Sequence, residues 1–158
     1  MKVLLVAFAF LLTFPTIVGA TAAAISTAPQ PAPANRLFPW VPEDGYRDAF
    51  PYGQCTWWAA YNRRVTWNGN AADWLPNAQA QGVVTSNLPT VGAIAVYARV
   101  GPYSLRYGHV AVVISVNSGA YTVSEMNFIG WGRVSTRVIA WPDPRVEGFI
   151  PLRQEDMS

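Results

Sequence analysis

A single cysteine, Cys55, constrains this chain more than any other residue. With one thiol the chain can form neither an internal disulfide nor a cysteine-rich metal site, so its fold must be held together by an apolar core. The hydrophobic fraction of 51% and the aromatic fraction of 13% are sufficient for one such core in a chain of 158 residues. The thiol is therefore either a small buried side chain or a reactive group.

The pattern of apolar residues predicts helices first and antiparallel strands afterwards, which is an α+β layout. A helix is expected to begin near Cys55 and to run toward Val65. A second, shorter helix over 71–81 contains Pro76, which should split or kink it. Strands are expected over 92–97, 109–116, 120–127, 133–139 and 146–151. A hairpin turn centred on Ser118 would place residue 109 opposite 127, and residue 111 opposite 125.

Composition divides the chain into four segments. Residues 1–20 join Lys2 to an apolar run and end in small residues, which is typical of a cleaved signal peptide. An uncleaved N-terminal anchor is the alternative. Residues 21–38 are rich in proline and alanine and are expected to form an extended linker. Residues 39–153 form the predicted domain, and residues 154–158 are expected to be a polar tail.

Three short segments carry groups that could act together in catalysis. Cys55 should lie in the first turn of its helix, where free backbone N–H groups and the helix dipole lower the pKa of a thiol. His109 is the only histidine, and Glu125 is the only acidic residue between positions 73 and 143. Glu125 and Asn127 are two residues apart, so one strand would direct both toward His109. A thiol, an imidazole and an orienting group are the parts of a cysteine hydrolase.

Each of these residues also has an ordinary structural interpretation. A lone histidine is more often a core or surface residue than a base, and Glu125 could be a solvated hairpin charge. Asn127 could belong to a simple turn, and Gln54 could be a surface residue at a helix start. The occurrence of all of them at the ends of predicted elements, in a chain that is expected to be exported, favours an active site.

The same residues resemble a known family, the CHAP domain, a cysteine- and histidine-dependent amidohydrolase/peptidase. The resemblance rests on segments 52–58, 69–71, 92–96, 108–113 and 124–128, together with Trp74 and Pro89. It implies a papain-like fold in which an N-terminal helix carrying the cysteine packs on an antiparallel sheet. It also implies hydrolysis of peptidoglycan, either between N-acetylmuramic acid and L-alanine or within the stem peptide and cross-bridge.

By position in the family's motifs, Cys55 would be the nucleophile, His109 the base, Glu125 the third catalytic member and Asn127 a further orienting residue. Gln54 would form the oxyanion hole with the Cys55 backbone N–H. Trp57, Tyr107 and Trp131 are expected to contact substrate. The resemblance implies that residues 39–153 form a catalytic domain.

The remaining expectations concern partners and location. The net charge of +2, and basic runs no longer than two residues, argue against nucleic acid. No cofactor and no metal are expected: Thr56 follows Cys55 where calcium-binding members carry an acid. We expect a monomer, secreted or associated with the cell wall, without stable membrane contact once residues 1–20 are removed. A catalytically idle binding module and a papain-like protease acting on proteins are the alternatives.

Overall fold

The computed structural model describes residues 36–46 and 49–157, in which both predicted helices are present. Helix α1 spans Cys55–Asn62 and ends earlier than expected, because Arg63 is extended (φ −141°, ψ 137°). A 3-10 turn, Ala71–Asp73, leads into α2, Trp74–Ala80. Pro76 lies in the first turn of α2, where no intrahelical N–H bond is lost. The predicted interruption therefore falls at the junction of the 3-10 turn and α2.

The five predicted strands are all present and form one antiparallel sheet. They are β1 (Ile94–Tyr97), β2 (His109–Asn117), β3 (Ala120–Met126), β4 (Val134–Ala140) and β5 (Val146–Ile150). Their order in the sheet is β4-β3-β2-β1-β5. Helices come first in the chain and the sheet follows, so the α+β prediction is confirmed.

A β-bulge sets the register of the central hairpin. The turn between β2 and β3 is tighter than predicted, because Asn117 pairs directly with Ala120. An irregularity between Val113 and Ser115 inserts one extra residue into β2. Beyond the bulge Val112 pairs with Ser124. This is the predicted register, in which residue 111 lies opposite residue 125. The bulge therefore compensates for the tighter turn before the strands reach His109 and Glu125.

The core lies on both faces of this sheet. One face packs against the helices through residues that include Trp67, Trp74 and Ile94. The opposite face is closed by aromatic side chains from strands and loops, among them Tyr97 and Tyr103. Helix α1 is fixed to β3 because Trp58 Nε1 donates to Ser124 Oγ at 3.0 Å. The start of α1 is thereby held at the end of the sheet where β2 begins.

The packed region extends beyond the predicted bounds of 39–153 at both ends. The Leu37 N–H donates to Asn62 Oδ1 at 2.9 Å, and Phe38 is buried. The predicted polar tail is also packed: Gln154–Met157 forms a 3-10 helix, and Asp156 is 1% exposed. The segment predicted as a signal peptide, 1–20, and the predicted linker up to residue 35 lie outside the described residues. Within the described ranges, no helix is long and apolar enough to cross a bilayer.

The C-terminal contact is a buried ion pair. Asp156 Oδ2 accepts from Arg63 Nη2 at 2.9 Å, with the arginine side chain 1% exposed. Arg63 also donates to the carbonyls of Gly92 and Pro151. This network joins the end of α1 to both the loop before β1 and the C-terminal segment.

We expect Asp156→Ala to lower the free energy of unfolding by about 3 kcal/mol, because it leaves a buried guanidinium without its counter-ion. Urea unfolding measures the change. Glu155→Ala is the matched control, because the Glu155 side chain is 63% exposed and should contribute less than about 1 kcal/mol. Equal stability of the two variants would contradict a structural role for the C-terminal segment.

Candidate active site

Cys55 is the first residue of α1, as the sequence predicted. Gln54 precedes it in an extended conformation (ψ 156°), so the chain turns into the helix at the thiol. Backbone hydrogen bonds from Val110 and Thr56 reach the Cys55 sulfur. The helix start and the first residues of β2 therefore meet at this side chain.

His109 is the first residue of β2, and its ring is almost fully buried. Its Nε2 lies 2.8 Å from Glu125 Oε2, and the ring also forms a hydrogen bond with Cys55. Gly108 allows this placement: its φ is 69°, and an added Cβ would lie 2.5 Å from the Ala72 Cβ. A larger residue at position 108 would force apart the loop before His109 and the 3-10 turn.

The contacts of the thiol and the imidazole shift their pKa values in opposite directions. Burial alone would raise the pKa of Cys55, but the hydrogen bond and positive charge of His109 hold that pKa below its usual value. Burial alone would lower the pKa of His109, but its bonds to Cys55 and Glu125 raise that pKa to about 9. The pair can therefore exist as thiolate and imidazolium at neutral pH.

Glu125 has a second partner that sequence reasoning missed. Its carboxylate, which is fully buried, is bound by both Nε and Nη2 of Arg137 on β4. Burial would raise the pKa of Glu125, but the bonds to His109 and Arg137 hold it below its usual value. Ser135 pairs with Glu125, which places Arg137 diagonally across from it. Only the register of β3 with β4, which the sequence did not supply, could have revealed this contact.

Asn127 does not share a strand face with Glu125, so that prediction is wrong. Strand β3 ends at Met126, and Asn127 has a left-handed backbone with φ 64°. Asparagine tolerates this conformation better than most residues. Its Nδ2 donates to Gln54 Oε1 at 3.0 Å. Asn127 thus contacts the residue before the cysteine, whereas Glu125 contacts the histidine.

Two cavities of about 340 Å³ each flank Cys55. Gln54, Cys55 and Tyr107 line both, so the cavities are two parts of one cleft. The first is completed by Phe50, Pro51, Thr56, Gly69, Asn70 and Ala71. The second is completed by Pro102, Tyr103, Ser104, Gly108, His109, Asn127 and Phe128.

The three aromatic residues expected to contact substrate differ in position. Tyr107 lies in the cleft and is 47% exposed. Trp57 and Trp131 line neither cavity. Trp131 is 61% exposed and covers Gly53, where an added Cβ would lie 2.4 Å from the indole. Its ring and that of Tyr52 meet edge to face, so Trp131 packs against the segment that leads to Gln54 and Cys55.

Two aromatic rings of the cleft, Tyr103 and Phe128, bracket the histidine. Tyr103 stacks on His109 with 5.4 Å between ring centroids, and Phe128 meets it edge-on at 6.0 Å. Sequence reasoning did not assign either ring to the site, because loop conformation decides which aromatic residues reach the strand end. Among residues 36–46 and 49–157, no three His, Cys, Asp or Glu side chains are grouped to hold a metal ion.

Curated relatives are similar in sequence to more than half of this chain. A protein of Staphylococcus aureus (strain NCTC 8325 / PS 47) named "Probable autolysin LDP" is 42% identical over 102 residues, covering 59% of this chain and 34% of that protein. The staphylococcal secretory antigen ssaA2 of the same strain is 40% identical over 111 residues, covering 66% and 39%. The chain therefore spans little more than a third of the length of these relatives.

A solved structure, an N-acetylmuramoyl-L-alanine amidase from Staphylococcus aureus, is similar in both fold and sequence. It superimposes with a TM-score of 0.52 and 33% identity, covering 60% of this chain and 30% of that one. This similarity and the helix-on-sheet arrangement confirm the papain-like α+β fold.

The family model of the CHAP domain matches residues 45–127. The match includes Cys55, His109, Glu125 and Asn127, and it covers more than half of the chain. The chain belongs to the CHAP domain family.

Proposed function

We propose that this chain is an exported hydrolase that cleaves an amide or peptide bond of peptidoglycan with Cys55 as nucleophile. The observation that carries the proposal is the continuous hydrogen-bonded series from Cys55 through His109 to Glu125, at the junction of two cavities. The names of two similar proteins, an autolysin and an amidase, support a cell-wall substrate. Export is supported by the signal-peptide pattern of residues 1–20.

The proposed reaction has two steps. The Cys55 thiolate attacks the scissile carbonyl carbon, and His109 gives its proton to the leaving amine as the C–N bond breaks. This step leaves an acyl group on sulfur as a thioester. A water molecule then loses a proton to His109 and attacks the thioester carbonyl, which releases the carboxylic acid and restores the thiolate–imidazolium pair. Glu125 holds the imidazole in place and stabilises its positive charge.

The negative oxygen of each tetrahedral intermediate needs donors, and we assign them to Gln54 and the Cys55 backbone N–H. Gln54 lines both cavities, and its Oε1 is already occupied by the amide of Asn127. With Oε1 bound in this way, the Gln54 side-chain NH2 is left to donate to the oxyanion. Asn127 would then act through Gln54, and not through the imidazole ring.

Cys55→Ala should reduce release of fragments from labelled peptidoglycan at least about a thousandfold, because no other thiol is available. Purified wild-type protein and the variant are incubated in parallel with peptidoglycan and with casein. Fragment masses identify the bond, either the amide between N-acetylmuramic acid and L-alanine or one in the stem peptide or cross-bridge. Cleavage of casein alone would favour a protease, and cleavage of neither would favour a binding module.

Iodoacetamide should alkylate Cys55 at about pH 6 faster than it alkylates free cysteine, because the pKa of Cys55 is lowered. Hydrolysis should decline as pH rises through about 9, because His109 then loses the proton that the leaving amine requires. Mass spectrometry gives the alkylation rate and fragment release gives the activity. If the alkylation rate rose with pH in a single transition near the ordinary thiol pKa, the ion pair would be contradicted.

Asn127→Gly and Gln54→Ala should both slow peptidoglycan hydrolysis, by about a hundredfold for loss of the Gln54 donor. Glycine is chosen at position 127 because it accepts the left-handed backbone. Neither change should slow alkylation of Cys55, since alkylation forms no oxyanion. The double variant should hydrolyse peptidoglycan no more slowly than Gln54→Ala alone, because Asn127 is proposed to act through Gln54. Reduced alkylation of Asn127→Gly would instead indicate that Asn127 acts on the Cys55–His109 pair.

A further inference from the structure

Arg137 binds both oxygens of the Glu125 carboxylate. Its Nε bonds Oε1, and its Nη2 bonds Oε2 at 3.0 Å. His109 bonds the same Oε2 at 2.8 Å. The carboxylate is fully buried, and the arginine side chain is only 20% exposed. A two-pronged contact of this kind fixes the plane of a carboxylate as well as its position.

The same guanidinium also contacts the two rings that bracket the imidazole. Its central carbon lies 3.6 Å from the Phe128 ring centroid and 5.5 Å from that of Tyr103. Its Nη2 additionally donates to the Tyr103 hydroxyl at 3.2 Å. Arg137 therefore touches the carboxylate and two of the aromatic neighbours of His109, Tyr103 and Phe128, without touching His109 itself in any contact that the structure gives.

A buried carboxylate with a single partner is costly to keep ionised. Without Arg137, Glu125 would retain only the bond to His109 among the side-chain contacts described. Its carboxylate could then rotate or take up a proton, and in either case the support for the imidazolium weakens. The charged groups that act on this carboxylate are His109, which also bonds Cys55, and Arg137, whose charge in turn acts on Asp143.

A purely structural role for Arg137 is the alternative. The pairing of β3 with β4 does not require this side chain, because the backbone register runs without interruption from Ala120 and Ala140 to Met126 and Val134. The apolar residues Val123 and Tyr121 already anchor the same face of β3 in the core. The position of Arg137 is thus better explained by its contacts with Glu125, Tyr103 and Phe128.

We propose that Arg137 is a positioning residue of the active site, which fixes the Glu125 carboxylate against His109 and so maintains the reactive Cys55–His109 pair. The inference rests on the proposed function for the identity of the reaction. Its test uses alkylation of Cys55, which requires no peptidoglycan and reports on the pair directly.

The experiment compares Arg137→Gln with Arg137→Lys in the full chain, each alone and in a Glu125→Gln background. The rate of iodoacetamide alkylation at about pH 6 is measured for each, with the urea midpoint as the measure of folding. Arg145→Gln is the matched control: Arg145 lies 6.0 Å from the Tyr103 ring but pairs with Asp143. It carries the same charge beside the same aromatic residue without touching Glu125 in any bond that the structure gives.

We expect Arg137→Gln to slow alkylation about tenfold, within the range of couplings between residues of one hydrogen-bond network. Arg137→Lys should fall between wild type and Arg137→Gln, because it keeps the charge and loses the two-pronged contact. Arg145→Gln should alkylate as wild type does. In the Glu125→Gln background, Arg137→Gln should have little further effect, because its target carboxylate is gone.

Two results would overturn the proposal. One is alkylation of folded Arg137→Gln at the wild-type rate. The other is a decrease in alkylation rate by Arg137→Gln that is as large in the Glu125→Gln background as in the wild-type background. That result would show that Arg137 does not act through the carboxylate. If Arg137→Gln does not fold, the same comparison is made with Arg137→Lys. Failure to cleave peptidoglycan with normal alkylation behaviour would refute the proposed function and leave the role of Arg137 intact.

Discussion

The burial of one charged carboxylate organises the active site. Glu125 is fully buried, and a carboxylate at such a position is stable only when it is paired and hydrogen-bonded. Its two oxygens are shared between an imidazole on β2 and a guanidinium on β4. Three neighbouring strands are thereby joined through one side chain. The imidazole that this carboxylate binds also forms the hydrogen bond with the thiol of Cys55.

The backbone supplies the geometry that this pairing needs. A bulge near residue 114 brings β2 and β3 into the register that places Val112 opposite Ser124. Without it, the tight turn at residues 118–119 would leave the strands one position out of step, and the side chains of one strand would face the wrong neighbours. The second requirement is a glycine at position 108, since the 3-10 turn leaves no space for a Cβ there.

The sequence predicted the order and type of nearly every element, because its apolar periodicity and turn residues are strong local signals. It also predicted that Cys55, His109 and Glu125 meet, since each lies at an element end and the hairpin relates two of them. It did not predict features that depend on contacts between distant segments. The contact of Arg137 with Glu125 depends on the register of β4, and the positions of Tyr103 and Phe128 beside His109 depend on loop conformation. The packing of Asp156 depended on a buried arginine 93 residues away in sequence.

Three consecutive residues, the last two of β3 and the one that follows it, make contacts with three different partners. Glu125 faces His109 and Arg137, whereas Met126 is buried in the cluster formed with Trp58 and Tyr61 of α1. The chain then turns left-handed at Asn127, which reaches Gln54. The alternation of a strand explains the first two directions, because successive side chains point to opposite faces.

The third direction needs the change in backbone conformation at Asn127. Had the strand continued, Asn127 would have faced the same side as Glu125, and the two would have shared the histidine. Because the strand ends, the Glu125 carboxylate binds the imidazole, and the Asn127 amide binds Gln54, the residue before the nucleophile. Met126 meanwhile holds this strand end against the helix that carries the thiol. The relative position of the base and the proposed oxyanion donor is therefore fixed by a single short stretch of backbone.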